Sequence, residues 1–246
     1  MVLLSRRAVR AALAVGVLIA VLTPLAFWLR DSSIVQVEHV TVSGIGGEQS
    51  RPIVSALRRA GETMTTLHMR AAVLRAAVAS YPVVRSVHAD TDFPHGLRVV
   101  VDAYRAVAAL HPVRGGATAV AGDGTLLPGN ATNGLPVVGV RLAPSGTRLP
   151  AGETLSAVQV IAAAPQALRT RVARVYDGPH GLAATMQRGP KLYFGGAESL
   201  VAKWGAAAAV LSSSTSRGAA YVDLRVPGRP VAGGLQARPA ESQAPL

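Results

Sequence analysis

Four side chains of metal-binding type lie close together in the sequence: His88, Asp90, Asp92 and His95. A period of two residues would put the first three on one face of a strand, and imidazole with carboxylate is a common donor set for divalent metals. The same residues coincide with the end of a predicted strand and the turn after it, where solvated polar side chains are usual. We therefore predict a polar turn here and no metal site.

A glycine-rich loop, Gly44-Ile45-Gly46-Gly47, stands between a predicted strand and a predicted helix and imitates a dinucleotide-binding loop. That fingerprint needs a third glycine three residues after the second, and an acidic residue about 20 positions later within a βαβ unit. Position 49 is glutamine, and a second helix follows instead of a parallel strand. We predict a flexible loop and no cofactor.

Motifs for covalent or hydrolytic catalysis are missing from the sequence. It has no Gly-x-Ser-x-Gly turn, no Ser-x-x-Lys with its companions, and no His-Glu-x-x-His. The absence of cysteine is compatible with an oxidising compartment but supplies no disulfide. The sequence therefore predicts a protein that is not an enzyme, with no catalytic residue, no metal, no cofactor and no small-molecule substrate.

The charge is strongly basic, with 25 Lys and Arg residues against 13 Asp and Glu residues and a formal net charge of +12. A protein with such a charge can bind nucleic acid or an anionic surface. The basic residues are nearly all arginine, however, and they are scattered along the chain instead of clustered. Aromatic residues make up only 4% of the chain, so platforms for stacking bases are scarce. We predict no binding of nucleic acid.

The first predicted structural element is an uncharged apolar run, Ala11–Leu29. As a helix it would reach about 28 Å, close to the hydrocarbon thickness of a bilayer. Three arginines precede the run, and Arg30 and Asp31 after it nearly cancel. The positive-inside bias therefore predicts a cytoplasmic tail over residues 1–10, a transmembrane helix over 11–30, and an extracytoplasmic location for the rest. A cleaved signal peptide is the alternative, but the apolar run is too long and no small-x-small cleavage site follows it.

The next segment predicts a small α+β unit. Its predicted elements are a strand over 34–42, helices over 50–60 and 67–80, and strands over 83–90 and 97–104. Continuous alternation is expected through the first strand, Gly61 is expected to end the first helix, and Leu67, Leu74 and Val78 are expected on one face of the second. Two helices would then cover one face of a small sheet and leave a sheet edge available to another chain.

The second half is rich in turns and predicts a mixed α+β domain with a mainly antiparallel sheet. Strands are predicted over 107–110, 117–121, 126–127, 135–140, 171–176, 182–186, 192–194 and 220–225, and helices over 155–164 and 198–211. Gly122-Asp123-Gly124 is a hairpin signal. Glu198 and Lys203 are expected on neighbouring surface turns, and Val222 and Leu224 in the core. Residues 235–246 have the composition of a disordered tail.

These elements resemble the FtsQ/DivIB family of bacterial cell-division proteins. The pattern of that family's POTRA domain is met by Pro82, Val84, Val87, Phe93, Pro94, Leu97, Val99 and Val101, with Val37, Val40, Val42 and Gly44 before them. Its late signature resembles Tyr221-Val222-Asp223-Leu224-Arg225 followed by Pro227 and Arg229-Pro230. One departure is at residues 103–108, which lack the family's Glu-Arg-x-Pro, so no role of that motif is carried over.

The resemblance implies a domain organisation and a function. After the span, a β-α-α-β-β POTRA domain would cover 34–104, and an FtsQ-type β domain would cover 105–234. The protein would be a single-pass scaffold of the divisome at the septum, recruiting FtsB/DivIC-like and FtsL-like coiled-coil partners and linking them to septal wall synthesis. The alternative is a POTRA-bearing chaperone or transport component for exported polypeptides, which needs repeated POTRA units or a following barrel.

The resemblance also implies a partner-binding site near the end of the chain, where a partner's segment adds to an open sheet edge. The residues that correspond by position are Tyr221, Arg225, Arg229, Pro230, Val231, Ala232 and Gly233. The physical reading agrees with this expectation, because a terminal strand tends to be an edge strand and its unpaired N–H and C=O groups can bond an incoming strand.

Overall fold

A computed structural model describes residues 15–24, 36–46 and 50–234. The chain divides into two compact units, one ending at Ala103 and the other beginning at Tyr104. Residues 15–24 are helical, and no helix within the described ranges has both the length and the apolar character needed to cross a bilayer. The remainder of the predicted span 11–30, like the predicted tails over 1–10 and 235–246, lies outside those ranges.

The first unit has the α+β character that the sequence predicts. Its elements are β1 (His39–Ser43), α1 (Ser50–Glu62), α2 (Ala71–Ala77), β2 (Val84–Asp92) and β3 (Gly96–Ala103). The sheet order is β1-β3-β2, with β1 parallel and β2 antiparallel to β3. Strand β3 alternates as a half-buried strand should, and its Leu97, Val99 and Val101 are buried together with Leu57 and Leu74.

Gly61 does not end α1, which continues to Glu62. A Cβ atom at Gly61 would lie 2.8 Å from Cγ2 of Val40 and 3.0 Å from Cδ2 of Leu97. The glycine therefore lets the helix approach the sheet closely, and its role is in packing.

Two expectations for this unit are wrong. Alternation does not run unbroken into β1, because the amides of Glu38 and His39 both donate to the carbonyl of His95, at 2.9 and 3.1 Å. This kink breaks the period of two, so Val37 and Val40 are both buried. Leu67 lies before α2 and is 48% exposed, because the chain makes a turn there in which the amide of His68 donates to the carbonyl of Thr65.

The second unit contains a nine-stranded mixed sheet. Its elements are β4 (Ala106–Pro112), β5 (Thr118–Ala121), β6 (Leu126–Leu127), β7 (Val137–Val140), α3 (Glu153–Ala162), α4 (Gln166–Arg169), β8 (Val172–Gly178), β9 (Gly181–Met186), β10 (Lys191–Gly195), α5 (Leu200–Ser212), a 3-10 turn (Ser214–Ser216), β11 (Tyr221–Asp223) and β12 (Val231–Gly233). The strand order is β12-β11-β10-β9-β8-β7-β4-β5-β6. Three neighbouring pairs are parallel, β4 with β7, β7 with β8 and β10 with β11, and the other described pairs are antiparallel.

The core of this unit joins helices α3 and α5 to the sheet. The indole N–H of Trp204 on α5 donates to the carbonyl of Val160 on α3 at 2.8 Å, and its ring lies 4.9 Å from the ring of Phe194. Val222 and Leu224 are fully buried in the same core, as predicted. The terminal strands are therefore anchored from one face by the packing of large apolar side chains.

Candidate functional site

The seven residues predicted to bind a partner lie together at one edge of the nine-stranded sheet. Tyr221 is in β11 and Arg225 follows it, while Arg229 ends the turn before β12 and Pro230 comes directly after that turn. Val231, Ala232 and Gly233 are β12 itself, the outermost strand, which pairs with β11. Sequence periodicity did not predict β12, because a strand of three residues is too short to show the alternation of apolar and polar side chains.

The backbone of β12 has one side turned away from the rest of the sheet. The carbonyl of Gly233 accepts a hydrogen bond from the amide of Ala220, at 2.9 Å, and so it points toward β11. Alternate residues of a strand direct their N–H and C=O groups to opposite sides. The N–H and C=O of Ala232 therefore point outward, where an added strand would pair.

The side chains of β12 differ on the two faces of the sheet. Ala232 lies opposite Val222 and packs against the core. Val231 lies on the other face and is 56% exposed, and Tyr221 on that face is 38% exposed. A Cβ atom at Gly233 would come within 2.9 Å of Cε1 of Tyr221, so the ring occupies the space above the glycine. A larger residue at this position would displace the ring of Tyr221 from its place over the strand.

An aromatic row continues inward from Tyr221 on the same face. The ring of Tyr221 lies 5.7 Å from the ring of Tyr193 on β10, and Tyr193 lies 5.1 Å from His180 in an edge-on arrangement. Aromatic pairs of this geometry are mutually stabilising. The row therefore lies on the same face of the sheet as Tyr221 and holds its ring beside β12.

Arg225 is exposed but is paired with a carboxylate of the same turn. Its Nη2 lies 2.6 Å from Oδ2 of Asp223, and Asp223 Oδ1 also accepts a hydrogen bond from the Arg225 amide at 3.0 Å. The hydrogen bonds from the Arg225 side chain lower the pKa of Asp223, and Asp223 in turn raises the pKa of Arg225. This pair shapes the turn after β11, and Arg225 is not a free cation.

Arg229 is the cation that this edge leaves available. Within the described residues its side chain has no ion pair, and it lines a surface hollow of about 450 Å³ with Asp223, Arg225, Val226 and Val231. Val226 and Val231 are both exposed large aliphatic residues. The hollow can therefore accept an apolar side chain with a carboxylate beside it.

Lys203 is a structural residue of this region that the sequence interpretation misplaced on the surface. Its side chain is 1% exposed, and Nζ donates to the carbonyls of Phe194 at 2.8 Å and Gly196 at 3.0 Å, and to Oε1 of Glu198 at 2.6 Å. The hydrogen bond from Lys203 lowers the pKa of Glu198. The sequence signal for its burial is that Lys203 is the one lysine within an otherwise apolar helix. A buried amine also needs hydrogen-bond acceptors nearby, and the sequence does not show where these lie.

Lys203 fixes the turn between β10 and α5, and that turn lies beneath Arg225. A Cβ atom at Gly195 would be 3.0 Å from Cγ of Arg225. The side chain of Arg225 thus lies across this glycine, so the position of the turn helps to set the position of the Arg225–Asp223 pair.

The other groups singled out in the sequence are engaged locally. Asp92 lies 3.7 Å from Arg98, and Nδ1 of His95 lies 3.2 Å from the carbonyl oxygen of Gln36. Within residues 15–24, 36–46 and 50–234, no three acidic or histidine side chains are placed to hold a metal ion. A Cβ atom at Gly44 would collide with the carbonyl of Val101, so this glycine permits close backbone approach to β3.

The described residues thus form two α+β units, and β12 is an edge strand of the larger sheet. Residues 109–225, which run from within β4 to Arg225, match the family model described as "Cell division protein FtsQ/DivIB, C-terminal". No curated protein matches the chain. This match lies within the second unit and supports a cell-division protein of the FtsQ/DivIB family.

Proposed function

We propose that this cell-division protein is a scaffold of the bacterial divisome and is not an enzyme. In this proposal the span over 11–30 holds it in the cell membrane, with the N-terminus in the cytoplasm and the two units outside. At the septum it recruits partner division proteins by strand addition and links them to septal wall synthesis. The family is a non-enzymatic one, which supports the proposal over a wall enzyme.

The observation that carries the proposal is the free side of β12. The N–H and C=O of Ala232 point away from β11, and backbone groups of an edge strand pair readily with an incoming strand. An added strand would satisfy these groups and extend the sheet. Backbone pairing would supply affinity, and the side chains beside it would supply specificity.

The side chains near β12 define the partner's chemistry. Val226 and Val231 offer apolar surface, and Arg229 offers a positive charge. We expect the added segment to place an apolar residue in the hollow and a carboxylate near Arg229. An extended segment that follows the helix of an FtsB/DivIC-like or FtsL-like coiled coil would suit this arrangement.

The first unit would be the POTRA domain of the scaffold. The observed order β-α-α-β-β and the match of the second unit to the FtsQ/DivIB family support this assignment. A chaperone or transport component for exported polypeptides is the alternative. The family match favours the divisome scaffold.

Proline at Ala232 gives a direct test of strand addition. An edge strand tolerates proline where the N–H faces solvent, so Ala232→Pro should leave unfolding unchanged within about 0.5 kcal/mol. The same change removes the outward donor and places a ring against the incoming strand. In cells we expect the full-length variant to accumulate normally, to capture no partner and to fail in restoring division after depletion of the native protein.

Photo-crosslinking in living cells tests where on this protein the partner binds. A photo-reactive residue at Val231 should crosslink to a division protein, and Ala232→Pro should abolish that product. The matched control is Val201, an exposed valine on α5, where no such product is expected. Equal crosslinking at both positions, or normal division by a cell that produces only Ala232→Pro, would show that β12 is not the binding edge.

A further inference from the structure

The first unit begins at Gln36, and hydrogen bonds tie this residue to two turns. Gln36 pairs with Thr65, between α1 and α2, in an isolated antiparallel bridge. Its carbonyl oxygen lies 3.2 Å from Nδ1 of His95, in the turn between β2 and β3. The hydroxyl of Thr66 donates to the carbonyl of Pro94 at 2.8 Å, so the two turns are joined as well. We call this region the entry end and define it by Gln36, residues 64–68 and residues 93–95.

The entry end carries the two most exposed of the large apolar side chains in residues 36–46 and 50–103. These are Phe93 at 67% and Leu67 at 48%, followed by Val100 of β3 at 39%. Phe93 precedes Pro94 and Leu67 follows Thr66, so the hydrogen bond between the two turns brings both side chains to the same end of the unit. An aromatic ring and a leucine exposed together form an apolar surface that the described part of the unit does not cover.

The chain also keeps the entry end close to the predicted span. That span ends at residue 30, and only residues 31–35 separate it from Gln36. Even a fully extended chain of this length reaches no more than about 20 Å. With the span over 11–30 in the membrane, as proposed above, the entry end is the part of the first unit that the chain holds nearest to the bilayer.

Charged side chains around the entry end have both signs. Asp92 lies 3.7 Å from Arg98, and both side chains are exposed. Glu38 and Glu62 are further exposed carboxylates, and Arg70 is an exposed cation. Such a mixture gives no strong attraction to anionic headgroups, so burial of apolar surface has to supply most of the affinity for a membrane.

We propose that Phe93 and Leu67 insert into the interfacial region of the bilayer and dock the entry end of the first unit on the membrane surface. The contact rests on the membrane anchoring proposed above. Aromatic rings are favoured at the interface between hydrocarbon and water. Two side chains suffice, because the short connection to the span already holds them at a high effective concentration beside the lipid. Docking gives the first unit a fixed orientation relative to the bilayer.

The test uses the full-length chain in phosphatidylcholine nanodiscs, with a nitroxide label on one introduced cysteine. The chain has no cysteine of its own, so each label reports a single position. Electron paramagnetic resonance compares collisions with oxygen, which concentrates in lipid, and with a nickel chelate, which stays in water. A label at Leu67→Cys should favour oxygen. A label at Val100→Cys should favour the nickel chelate, because that residue is exposed along β3 and not in the turns.

Changes at Phe93 test the contact itself. Phe93→Asp should lower the oxygen-to-nickel ratio of the Leu67 label by about tenfold, because an ionised carboxylate is disfavoured in the interface. Phe93→Leu should keep the ratio within about twofold, since it preserves apolar character. Val100→Asp is the matched control, the same exchange on an exposed apolar residue of the same unit, and should also stay within about twofold.

A label at Leu18→Cys, within the described helix over 15–24, separates this contact from the anchoring. Preference for oxygen at Leu18 but for the nickel chelate at Leu67 would refute docking and leave the anchoring intact. Preference for the nickel chelate at Leu18 would refute the anchoring and the docking with it. Equal losses from Phe93→Asp and Val100→Asp would refute docking through Phe93. Oxygen preference at Leu67 only in phosphatidylglycerol nanodiscs would assign the contact to charge and also overturn the proposal.

Discussion

The nine-stranded sheet has two edges, and the protein treats them differently. At the β6 edge the next part of the chain covers the strand, because the amide of Leu126 donates to the carbonyl of Thr147 at 2.9 Å. The amide of Leu149 likewise donates to the carbonyl of Gly124 at 2.8 Å. At the β12 edge the described chain supplies no such cover for Ala232. The comparison teaches that the described chain covers one edge strand of this sheet, β6, and leaves the outer side of the other, β12, uncovered.

Side chains reinforce the closure of the β6 edge. Asp123 accepts hydrogen bonds from the amide and hydroxyl of Thr125, each at 3.1 Å, and Nη2 of Arg148 lies 2.7 Å from its Oδ2. Burial alone would raise the pKa of Asp123, but the bonds from Thr125 and the charge of Arg148 outweigh it and lower that pKa. The Asp223–Arg225 pair at the other edge instead braces a turn beside an uncovered strand.

The largest expected difference between the edges is in packing. Leu127 on β6 is 1% exposed, and Leu127→Ala should lower the free energy of unfolding by about 3 kcal/mol through loss of burial and a residual cavity. Val231→Ala on β12 should change it by less than about 0.5 kcal/mol, because that side chain is largely in solvent. Fluorescence of the buried Trp204 during urea unfolding measures both changes. Similar losses for the two variants would contradict the contrast.

Lys203 gives the next largest effect and tests what supports the open edge. Lys203→Met should cost about 2 kcal/mol, because the carbonyls of Phe194 and Gly196 lose their donor inside the protein. Glu198→Gln is the control and should cost less than about 0.5 kcal/mol, since that side chain is largely exposed. Urea unfolding of the two variants separates the buried amine from its exposed partner. Equal costs would mean that the ion pair itself supplies the stability.

The smallest effect is the acid dependence of the closed edge. The pKa of Asp123 is lowered from its ordinary value of 3.8, so its contribution to stability is present above that pH and is lost as the pH falls through the lowered pKa. The difference in unfolding free energy between the native protein and Asp123→Asn should therefore be largest above about pH 4 and shrink below it. Arg148→Met should keep most of this dependence, because Thr125 contributes more to the lowering than Arg148 does. A difference that stays constant from pH 6 to pH 2 would refute the assignment.

Much of the fold could be predicted from local patterns, while the residues that depend on distant neighbours could not. The alternation of Leu97, Val99 and Val101 placed β3 correctly, and Gly122-Asp123-Gly124 placed the β5–β6 hairpin. The burial of Lys203 was missed, because its acceptors are carbonyls at the end of another strand, and no spacing in the helix reveals them. The kink before β1 was missed for the same reason, since it depends on the carbonyl of His95.

For the candidate binding edge, the family resemblance chose the residues and the tertiary structure supplied their arrangement. The burial of Val222 and Leu224 and the resemblance to the FtsQ/DivIB family are readable from the sequence, because they depend on periodicity and on residue order. The short outermost strand β12 is not. Which edge of the sheet is covered, and whether Arg225 or Arg229 is the available cation, depend on pairings that only the folded chain creates. Hydrogen bonds between segments far apart in sequence decide those pairings, so the sequence patterns alone do not contain them.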